Sequence, residues 1–495
     1  MGIKALLSLP FAKFIVTKNN RWKKNAVKAQ QKLMLQLIKQ AKNTTFGRDH
    51  NFSEIRNYSD FKTQIPIRDY EGLKRYVKQI IDREKDVLWP GKPIYFCKTS
   101  GTTSGEKYIP ISKESMVNHI TAARDAILSY IAETKNTSIV NGKMIFLQGS
   151  PKLTKTGDIL TGRLSGIVAH HIPAYLTKNS LPSFEINCIE DWETKVGAIV
   201  DATLKENMSL ISGIPPWVQM YFEKLQKKTG KFIKDIFPGF DLFIYGGVNY
   251  EPYRKSFEKL IGKKVDSIEL YPASEGFIAY QDSQKEEGML LCVNHGIFYE
   301  FIPSEEFFNN KRTRISLEDV RVGVNYVIIL NTSAGFWGYN IGDTIRFVSV
   351  NPYRIIVSGR IKHFTSAFGE HVITEEVERS LKETMESLDL EVNEFHVAPQ
   401  VNPKEGLPYH EWLIEFEKEP EDLNQFGFEI DKALQKHNSY YKDLIVGGVL
   451  KPLKITPISK NGFRKYMKSI GKIGGQNKIP RLANDRKIAD KLIVF

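Results

Sequence analysis

Between Arg21 and Lys42 apolar residues fall at Ala26, Ala29, Leu33, Leu37 and Ala41, with lysines between them. That spacing is close to the period of an α-helix and predicts an amphipathic helix packed by one face. A second helical period runs through Ile120, Ala123, Ile127 and Ile131, with Ser112 placed to cap its start. Shorter apolar runs at Met144–Gln148, Leu242–Tyr245, Ser267–Tyr271, Met289–Val293, Ile297–Ile302, Tyr326–Leu330 and Thr344–Val350 predict strands. Helical stretches at Trp192–Glu206 and Trp217–Lys227 alternate with the earlier of them, so the expected fold is a large α/β body followed by a β-rich section. From Tyr353 the order becomes strand Tyr353–Ser358, helix Thr374–Leu388, strands Glu394–Gln400 and His410–Glu417, helix Glu421–Asn438 and strand Val449–Thr456. This β-α-β-β-α-β order predicts a small α+β, ferredoxin-like domain. Ser358-Gly359-Arg360 is the natural hinge, giving a large domain over 1–358 and a small mobile domain over 359–495.

Length agrees with two domains, because 495 residues exceed what one core usually organises. Charge changes the picture more. The net charge is +13, yet Met1–Arg48 holds eleven Lys/Arg and no acid, and Lys451–Phe495 has a net +10, so the middle of the chain carries −8. The basic excess is therefore terminal. An extended basic groove is not supported, and no nucleic-acid-binding signature occurs, which leaves anionic small molecules or an acidic surface met by the ends. No apolar run is long enough to cross a bilayer. The opening Met1–Ala12 is interrupted by Lys13 without a small-residue cleavage site, and Leu6 stands where myristoylation wants Ser or Thr. Cys97, Cys188 and Cys292 are scattered and lack metal-ligand spacing. A cytoplasmic monomer acting on small molecules is the expectation.

The chemistry concentrates in three segments. Lys98-Thr99-Ser100-Gly101-Thr102-Thr103-Ser104-Gly105-Glu106-Lys107 packs two glycines, five hydroxyls and two lysines after the strand-like Pro93–Cys97. Glycine lets backbone N–H groups approach phosphate oxygens, hydroxyls donate further bonds, and lysine supplies countercharge. It is not a Walker loop, because Glu106 separates Gly105 from Lys107 and Tyr108 follows. With the helix expected from Ser112, the loop reads as lying between a strand and a helix, where phosphate loops are useful.

The second segment is Tyr271-Pro272-Ala273-Ser274-Glu275-Gly276, where a carboxylate at a strand end beside a hydroxyl suits Mg²⁺, a hard cation that prefers oxygen. The third is Gly338-Tyr339-Asn340-Ile341-Gly342-Asp343, a Gly-Asp turn before a strand whose carboxylate can accept both ribose hydroxyls of a nucleotide. Either segment alone is also compatible with an idle turn.

Taken in order, the segments resemble the motifs of the adenylate-forming superfamily, and more closely those of the acyl-acid amido synthetases, the auxin-responsive Gretchen Hagen family. The loop Thr99–Lys107 is one residue short before its lysine relative to that pattern, while Tyr271–Glu275 and Tyr339–Asp343 match theirs. Further likeness lies in Ser212–Trp217, Tyr245-Gly246-Gly247 and Gly475–Arg481, so it spans nearly the whole chain. Gly359-Arg360-Ile361-Lys362, Gly369 and Glu376-Val377-Glu378 resemble the superfamily's hinge, with Lys362 at the hinge position and Arg360 at the nucleotide-contacting arginine.

The resemblance implies activation of a carboxylic acid by Mg·ATP to an acyl-adenylate, followed by transfer to an amine such as an amino acid. It implies ATP contacts from Ser100, Gly101, Thr102, Thr103, Ser104, Gly105 and Lys107, with Tyr245, Gly246 and Gly247 bordering the adenine. Tyr271 and Ser274 join the nucleotide site, Asp343 holds the ribose, Glu275 holds Mg²⁺, and Arg360 and Lys478 are catalytic. Acyl-CoA synthetases carry a lysine directly after a late Pro-x-Thr-x-x-Gly; here Phe463 follows Gly462, so Arg464, Lys465 or Lys478 must substitute, and the amido synthetase resemblance favours Lys478. The alternatives are a thioester-forming ligase and an inactive binding protein that keeps the fold. Trp217, Phe336 and Trp337 fit either a substrate pocket or the core.

Overall fold

The architecture is that of a computed structural model of the whole chain. It describes every residue except 1–2, 101–105, 173–177, 248–249, 309–312, 362–363, 366–371, 402, 447, 449, 473–478 and 484, and, within helices and strands, the side chains of 3, 4, 100, 106, 192, 216, 252, 360, 364, 365, 439, 440 and 443. Two compact units emerge, one of Met1–Ile341 with Arg346–Ile356, the other of Gly342–Ile345 with Val357–Phe495.

The larger unit opens with six helices, α1 (Ile3–Lys23), α2 (Ala26–Ala41), α3 (Thr45–Asp49), α4 (Tyr58–Gln64), α5 (Tyr70–Ile81) and α6 (Lys113–Thr134). The amphipathic helix expected over 21–42 is α2, which holds all five of its apolar positions, while Arg21–Lys23 end α1 instead. Ala12, Ile15 and Trp22 of α1 are buried, and α1 packs along α6; Met34, Leu37 and Ile38 of α2 are buried, and α2 packs against a strand. Two inward faces with different partners require a break, which falls at Lys24-Asn25. Ser112 caps α6 as expected, in a reciprocal box with Ser115 that satisfies two backbone N–H groups at the helix start.

The strands are β1 (Tyr95–Ser100), β2 (Glu106–Ile111), β3 (Lys143–Phe146), β4 (Thr154–Thr156), β5 (Ile159–Gly162), β6 (Ser180–Leu181), β7 (Met208–Ser212), β8 (Leu242–Gly246), β9 (Asp266–Ala273), β10 (Gly276–Tyr280), β11 (Met289–Leu291), β12 (Ile297–Pro303), β13 (Asn325–Thr332), β14 (Tyr339–Val350) and β15 (Tyr353–Arg360). One long sheet has the order β12-β13-β14-β15-β11-β10-β9-β8-β7-β3-β6, and β2-β1-β5-β4 form a second. From β6 to β9 the long sheet is parallel, with the helices Trp192–Thr203, Pro215–Thr229 and Glu251–Ile261 as crossovers; β9-β10-β11-β15 and β12-β13 are antiparallel. This is the α/β body with a β-rich section that the pattern predicts. Its edge strand β12 is covered: buried Gln30 of α2 donates to the Val293 and Ile297 carbonyls and accepts from Tyr299 N–H.

A buried ion pair sits on that edge. Arg314 meets Glu300 of β12 through two bonds, Nε–Oε1 at 2.9 Å and Nη2–Oε2 at 2.6 Å, and also donates to the Ile65 carbonyl. Asn331 of β13 donates to Glu300 at 3.0 Å and accepts from Gly338 N–H at 2.7 Å, which fixes the chain just before β14.

The smaller unit is built on β18 (Val392–Gln400), β19 (Tyr409–Phe416) and β20 (Lys454–Pro457), preceded by the short pair β16 (Phe364–Thr365) and β17 (Val372–Ile373). Helices Thr374–Leu388 and Leu423–His437 pack together over a core that includes Leu381, Phe395, Trp412, Phe426 and Ile430. The expected element order is present, but its first strand is not in this sheet. Tyr353–Arg360 pairs with β11 through Ile355 and Arg354, so the sheet of the smaller unit has three strands. The alternation of Tyr353–Ser358 is equally satisfied in either sheet, which is why the pattern did not separate them.

Two outcomes follow. Arg314→Leu strands the Glu300 carboxylate in the core and lowers the stability of the larger unit by about 3–5 kcal/mol, read from its denaturant midpoint. In the smaller unit, burial pushes the Glu376 carboxyl up to about 7, against opposing bonds from Asn438 Nδ2 and Ile373 N–H. The folded form then keeps its proton while the unfolded chain loses it, so stability falls as pH rises from about 4.5 to 7. Glu376→Gln removes that fall, gaining on the order of 3 kcal/mol at pH 8 and little at pH 4, measured by denaturation at both pH values.

Candidate functional site

The glycine loop lies differently from expectation. β1 and β2 pair antiparallel with Ser100 opposite Glu106, so residues 101–105 join two strands of a hairpin, and α6 starts only after β2. Cys97 is buried on β1 opposite buried Ile109 of β2, with Ile111 on the same face opposite Tyr95, and this shared apolar face drives the second strand. Gly101, Thr102, Thr103, Ser104 and Gly105 are outside the described residues, as are the Ser100 side chain and Lys478.

What the hairpin presents can be followed from Lys107. Its Nζ lies 5.8 Å from the centre of the Tyr70 ring, at the start of α5, and the Tyr70 hydroxyl accepts from Tyr108 N–H at 2.9 Å. Tyr70 and Asp69 flank Tyr339, the first residue of β14, whose hydroxyl is bonded to the Glu275 carboxylate. Burial first, and then the Glu275 charge, hold the Tyr339 hydroxyl far above its ordinary pKa, so it remains a donor. Glu275 is 7% exposed and forms, with Ser274, the two-residue turn between β9 and β10, where Ala273 faces Gly276. Cys97 Sγ lies 3.1 Å from Ser274 Oγ. Lys107, Tyr70, Tyr339, Glu275, Ser274 and Cys97 are thus one connected set within the larger unit.

Backbone constraints hold Tyr339 in place. Gly338 has φ +59°, and a Cβ there would collide with the Pro66 carbonyl. Arg68 N–H donates to the Gly338 carbonyl at 2.9 Å and Asn340 N–H to the Arg68 carbonyl at 2.8 Å, bracketing Tyr339. Before it, Phe336 and Trp337 are core residues, with Trp337 Nε1 donating to the Leu88 carbonyl. Trp217 is also buried.

Tyr245 is buried at the end of β8 with its ring against Phe243 and Tyr250, burial raising its hydroxyl pKa. The strand end therefore offers backbone. A Cβ at Gly246 would come within 2.5 Å of the Leu270 carbonyl oxygen, and Gly247 takes φ +70°. Tyr271 is buried on β9, opposite Ala279.

The other expected residues belong to the smaller unit. Gly342 and Asp343 are not in a turn before a strand but inside β14, which begins at Tyr339. Asp343 is buried, and the adjacent Thr344 Oγ1 accepts from Ser358 Oγ on β15 at 3.1 Å. Arg360 ends β15, two residues beyond Ser358. Further on, the chain after Lys478 is anchored to β18: Arg481 pairs with Glu378 at 2.8 Å and Glu394 at 3.5 Å, and its carbonyl accepts from Val397 N–H. Phe463, where acyl-CoA synthetases carry lysine, is buried in a cluster with Ala398, Leu413 and Tyr466, whereas Arg464 and Lys465 are exposed.

No group of three or more metal-ligating side chains occurs among the described residues. A buried carboxylate at a hairpin tip, bonded to a neutral hydroxyl, nonetheless fits a hard cation that takes one protein oxygen and completes its shell with phosphate and water. Sequence reasoning missed the contacts of Tyr70, Cys97 and the Tyr339 hydroxyl with this set; only Tyr339 left a signal, as the leading residue of its motif.

Three family descriptions match the chain: the GH3 family N-terminal domain over residues 17–184, the central domain over 290–360 and the C-terminal domain over 375–487. The chain belongs to the GH3 family. Among GH3 relatives, a jasmonoyl-L-amino acid synthetase of Nicotiana attenuata is 22% identical over 65% of this chain and 67% of its own. A probable indole-3-acetic acid-amido synthetase of Arabidopsis thaliana is 21% identical over 95% of this chain and 91% of its own. In three dimensions the GH3.15 acyl acid amido synthetase superposes with a TM-score of 0.79 at 14% identity, covering 97% of this chain and 95% of that one. A 2-hydroxyisobutyryl-CoA ligase in the postadenylation state, in complex with R3-HIB-AMP, gives a TM-score of 0.60 at 13% identity, covering 95% and 92%. The fold is therefore that of GH3 and adenylate-forming enzymes.

Burial pushes the Cys97 thiol up to about 12. At pH 8 only about one thiol in ten thousand is ionised, so iodoacetamide leaves Cys97 of the native GH3 chain unmodified while half-buried Cys188 reacts, as peptide mass spectrometry will show.

Proposed function

We propose that this chain is an ATP-dependent acyl-acid amido synthetase, a ligase that activates a carboxylic acid as its acyl-adenylate and passes the acyl group to an amine, an amino acid in the first instance. The carrying observation is the Glu275–Tyr339 pair, with Lys107 over the ring of neighbouring Tyr70, set in a chain whose GH3 relatives are amido synthetases by name. In the first step a substrate carboxylate oxygen attacks the α-phosphorus of ATP and pyrophosphate leaves. In the second the amine attacks the acyl carbon, and AMP leaves. Both steps ask the protein chiefly for positioning and charge neutralisation.

Each residue has a part in that scheme. Ser100 to Gly105 supply hydroxyl and backbone donors to the phosphates, and Lys107 supplies positive charge. Glu275 is the residue that would hold Mg²⁺, which when bound offsets phosphate charge; Tyr339 orients that carboxylate by its hydrogen bond. Gly246 and Gly247 border the adenine with backbone beside Tyr245, Tyr271 and Ser274 complete the nucleotide wall, and Asp343 accepts the ribose hydroxyls. Arg360 and Lys478 act on the phosphate and the reacting carboxylate. The large domain, 1–358, binds ATP and acid, and the small one, 359–495, moves on the hinge between the half-reactions. The buried Phe463 leaves no lysine at the acyl-CoA synthetase position, which favours an amine over coenzyme A as acceptor. Three free cysteines suit a reducing compartment, and the proposal places the enzyme in the cytoplasm as a monomer.

A panel of carboxylic acids against amino acids and coenzyme A, read by mass spectrometry, tests this. Amide products with release of AMP are expected; thioester products alone, or none from any acid, would overturn the reading. Glu275→Ala and Asp343→Ala are each expected to lower acid-dependent pyrophosphate exchange about a hundredfold or more with folding intact, and full activity in either removes that residue from the site.

A further inference from the structure

Helix α1 has two faces, and only one is used by the fold. On the inner face Ala5, Ala12, Ile15 and Trp22 are buried, Asn19 Nδ2 donates to Asp125 of α6 at 2.8 Å, and Lys23 pairs with Asp282 at 2.8 Å. These contacts hold the helix firmly to the larger unit. The outer face carries Leu7 at 62% exposed, Phe11 at 46% and Phe14 at 64%, with Leu6 exposed beside them. Leu7, Phe11 and Phe14 stand at i, i+4 and i+7, so they form one stripe, which exposed Lys18 and Arg21 continue at i+11 and i+14. Two exposed phenyl rings and two leucines side by side on one helix are far from the scattered apolar residues of an ordinary surface.

We propose that this outer face of α1 docks the protein on an anionic lipid surface. The stripe places apolar side chains where they can enter the acyl boundary and puts cations on the same line to meet headgroups, the chemistry of an interfacial helix. Charge selects the partner. The first 48 residues hold eleven Lys/Arg and no acid, and Lys13, Lys24, Lys28 and Lys32 are exposed in addition to Lys18 and Arg21. A second copy of the chain would set this basic segment against itself, whereas a surface of anionic headgroups attracts every one of these charges. Insertion would be shallow, since no described helix is long and apolar enough to cross a membrane. The inference is independent of the reaction assigned above.

Co-sedimentation of the full chain with vesicles decides it. Wild type should bind phosphatidylcholine vesicles containing phosphatidylserine, ignore pure phosphatidylcholine, and release at high salt. Phe11→Ser with Phe14→Ser should weaken partitioning about tenfold or more, and Lys13→Gln or Lys18→Gln about fivefold each, with unchanged thermal melting. Should the phenylalanine pair fail to fold, Leu6→Ser with Leu7→Ser is read the same way. Equal binding to neutral vesicles, binding undiminished by the apolar substitutions, or no binding by folded wild type overturns the proposal. So does a concentration-dependent dimer, seen by sedimentation velocity, that the substitutions abolish while vesicles are ignored.

Discussion

The Glu300–Arg314 pair is the constraint on which the proposed site rests. Two charges taken out of water are tolerable only when each remaining lone pair and proton finds a partner, and here Asn331 and the Ile65 carbonyl provide them. Asn331 spends its other end on Gly338 N–H, which commits the backbone to a left-handed turn immediately before Tyr339. A buried electrostatic demand on the edge of the sheet is thereby converted into the position of one phenolic hydroxyl, and that hydroxyl holds the Glu275 carboxylate. The pair does not have to add net stability to matter; it makes one arrangement of β12, β13 and β14 much better than its alternatives.

How much of this the sequence disclosed depended on the range of the interaction. Helix α6, its Ser112 cap and the parallel strands β3, β8 and β9 follow from local period and local hydrogen bonding, and they were legible; β6 and β7 of the same parallel half were not expected. The start of α2 after Lys24-Asn25 rather than at Arg21 was not legible, since it reflects which partner each inner face meets, α6 or β12. The second strand of the glycine hairpin was hidden because Glu106-Lys107-Tyr108 reads as polar loop, although Ile109 and Ile111 share a core with Phe96. Strand Tyr353–Arg360 was found but assigned to the wrong sheet, a choice that alternation alone does not encode. At the site, Glu275 and Asp343 were visible as motif residues, whereas Tyr70 and Cys97 belong to it only through contacts between segments far apart in the chain.

The distribution of the site residues bears on the two-step chemistry. Lys107, Glu275 and Tyr339 belong to the larger unit; Asp343 and the backbone of Arg360 belong to the smaller one, which claims Gly342–Ile345 and everything from Val357 onward. Two adjacent strands, β14 and β15, each carry both memberships. On β14, Tyr339, which would orient the Glu275 carboxylate, and Asp343, which would accept the ribose hydroxyls, are therefore only a few peptide bonds apart, yet they belong to different units. Any enzyme that must first exclude water and then admit an amine benefits from such a partition.

Gly338 has a consequence for tracing distant relatives of this chain. Most positions in a protein tolerate replacement when a neighbour adjusts, and at roughly one identical residue in five, little of a pairwise alignment is anchored. At position 338 no side chain can be accommodated by repacking, because the obstacle is the Pro66 carbonyl of the main chain and the φ is unfavourable as well. A homologue lacking glycine there must have rebuilt the entry to β14, and with it the neighbourhood of the carboxylate that corresponds to Glu275. That single column can therefore sort candidate sequences into those that keep this geometry and those that reach the same fold by another route.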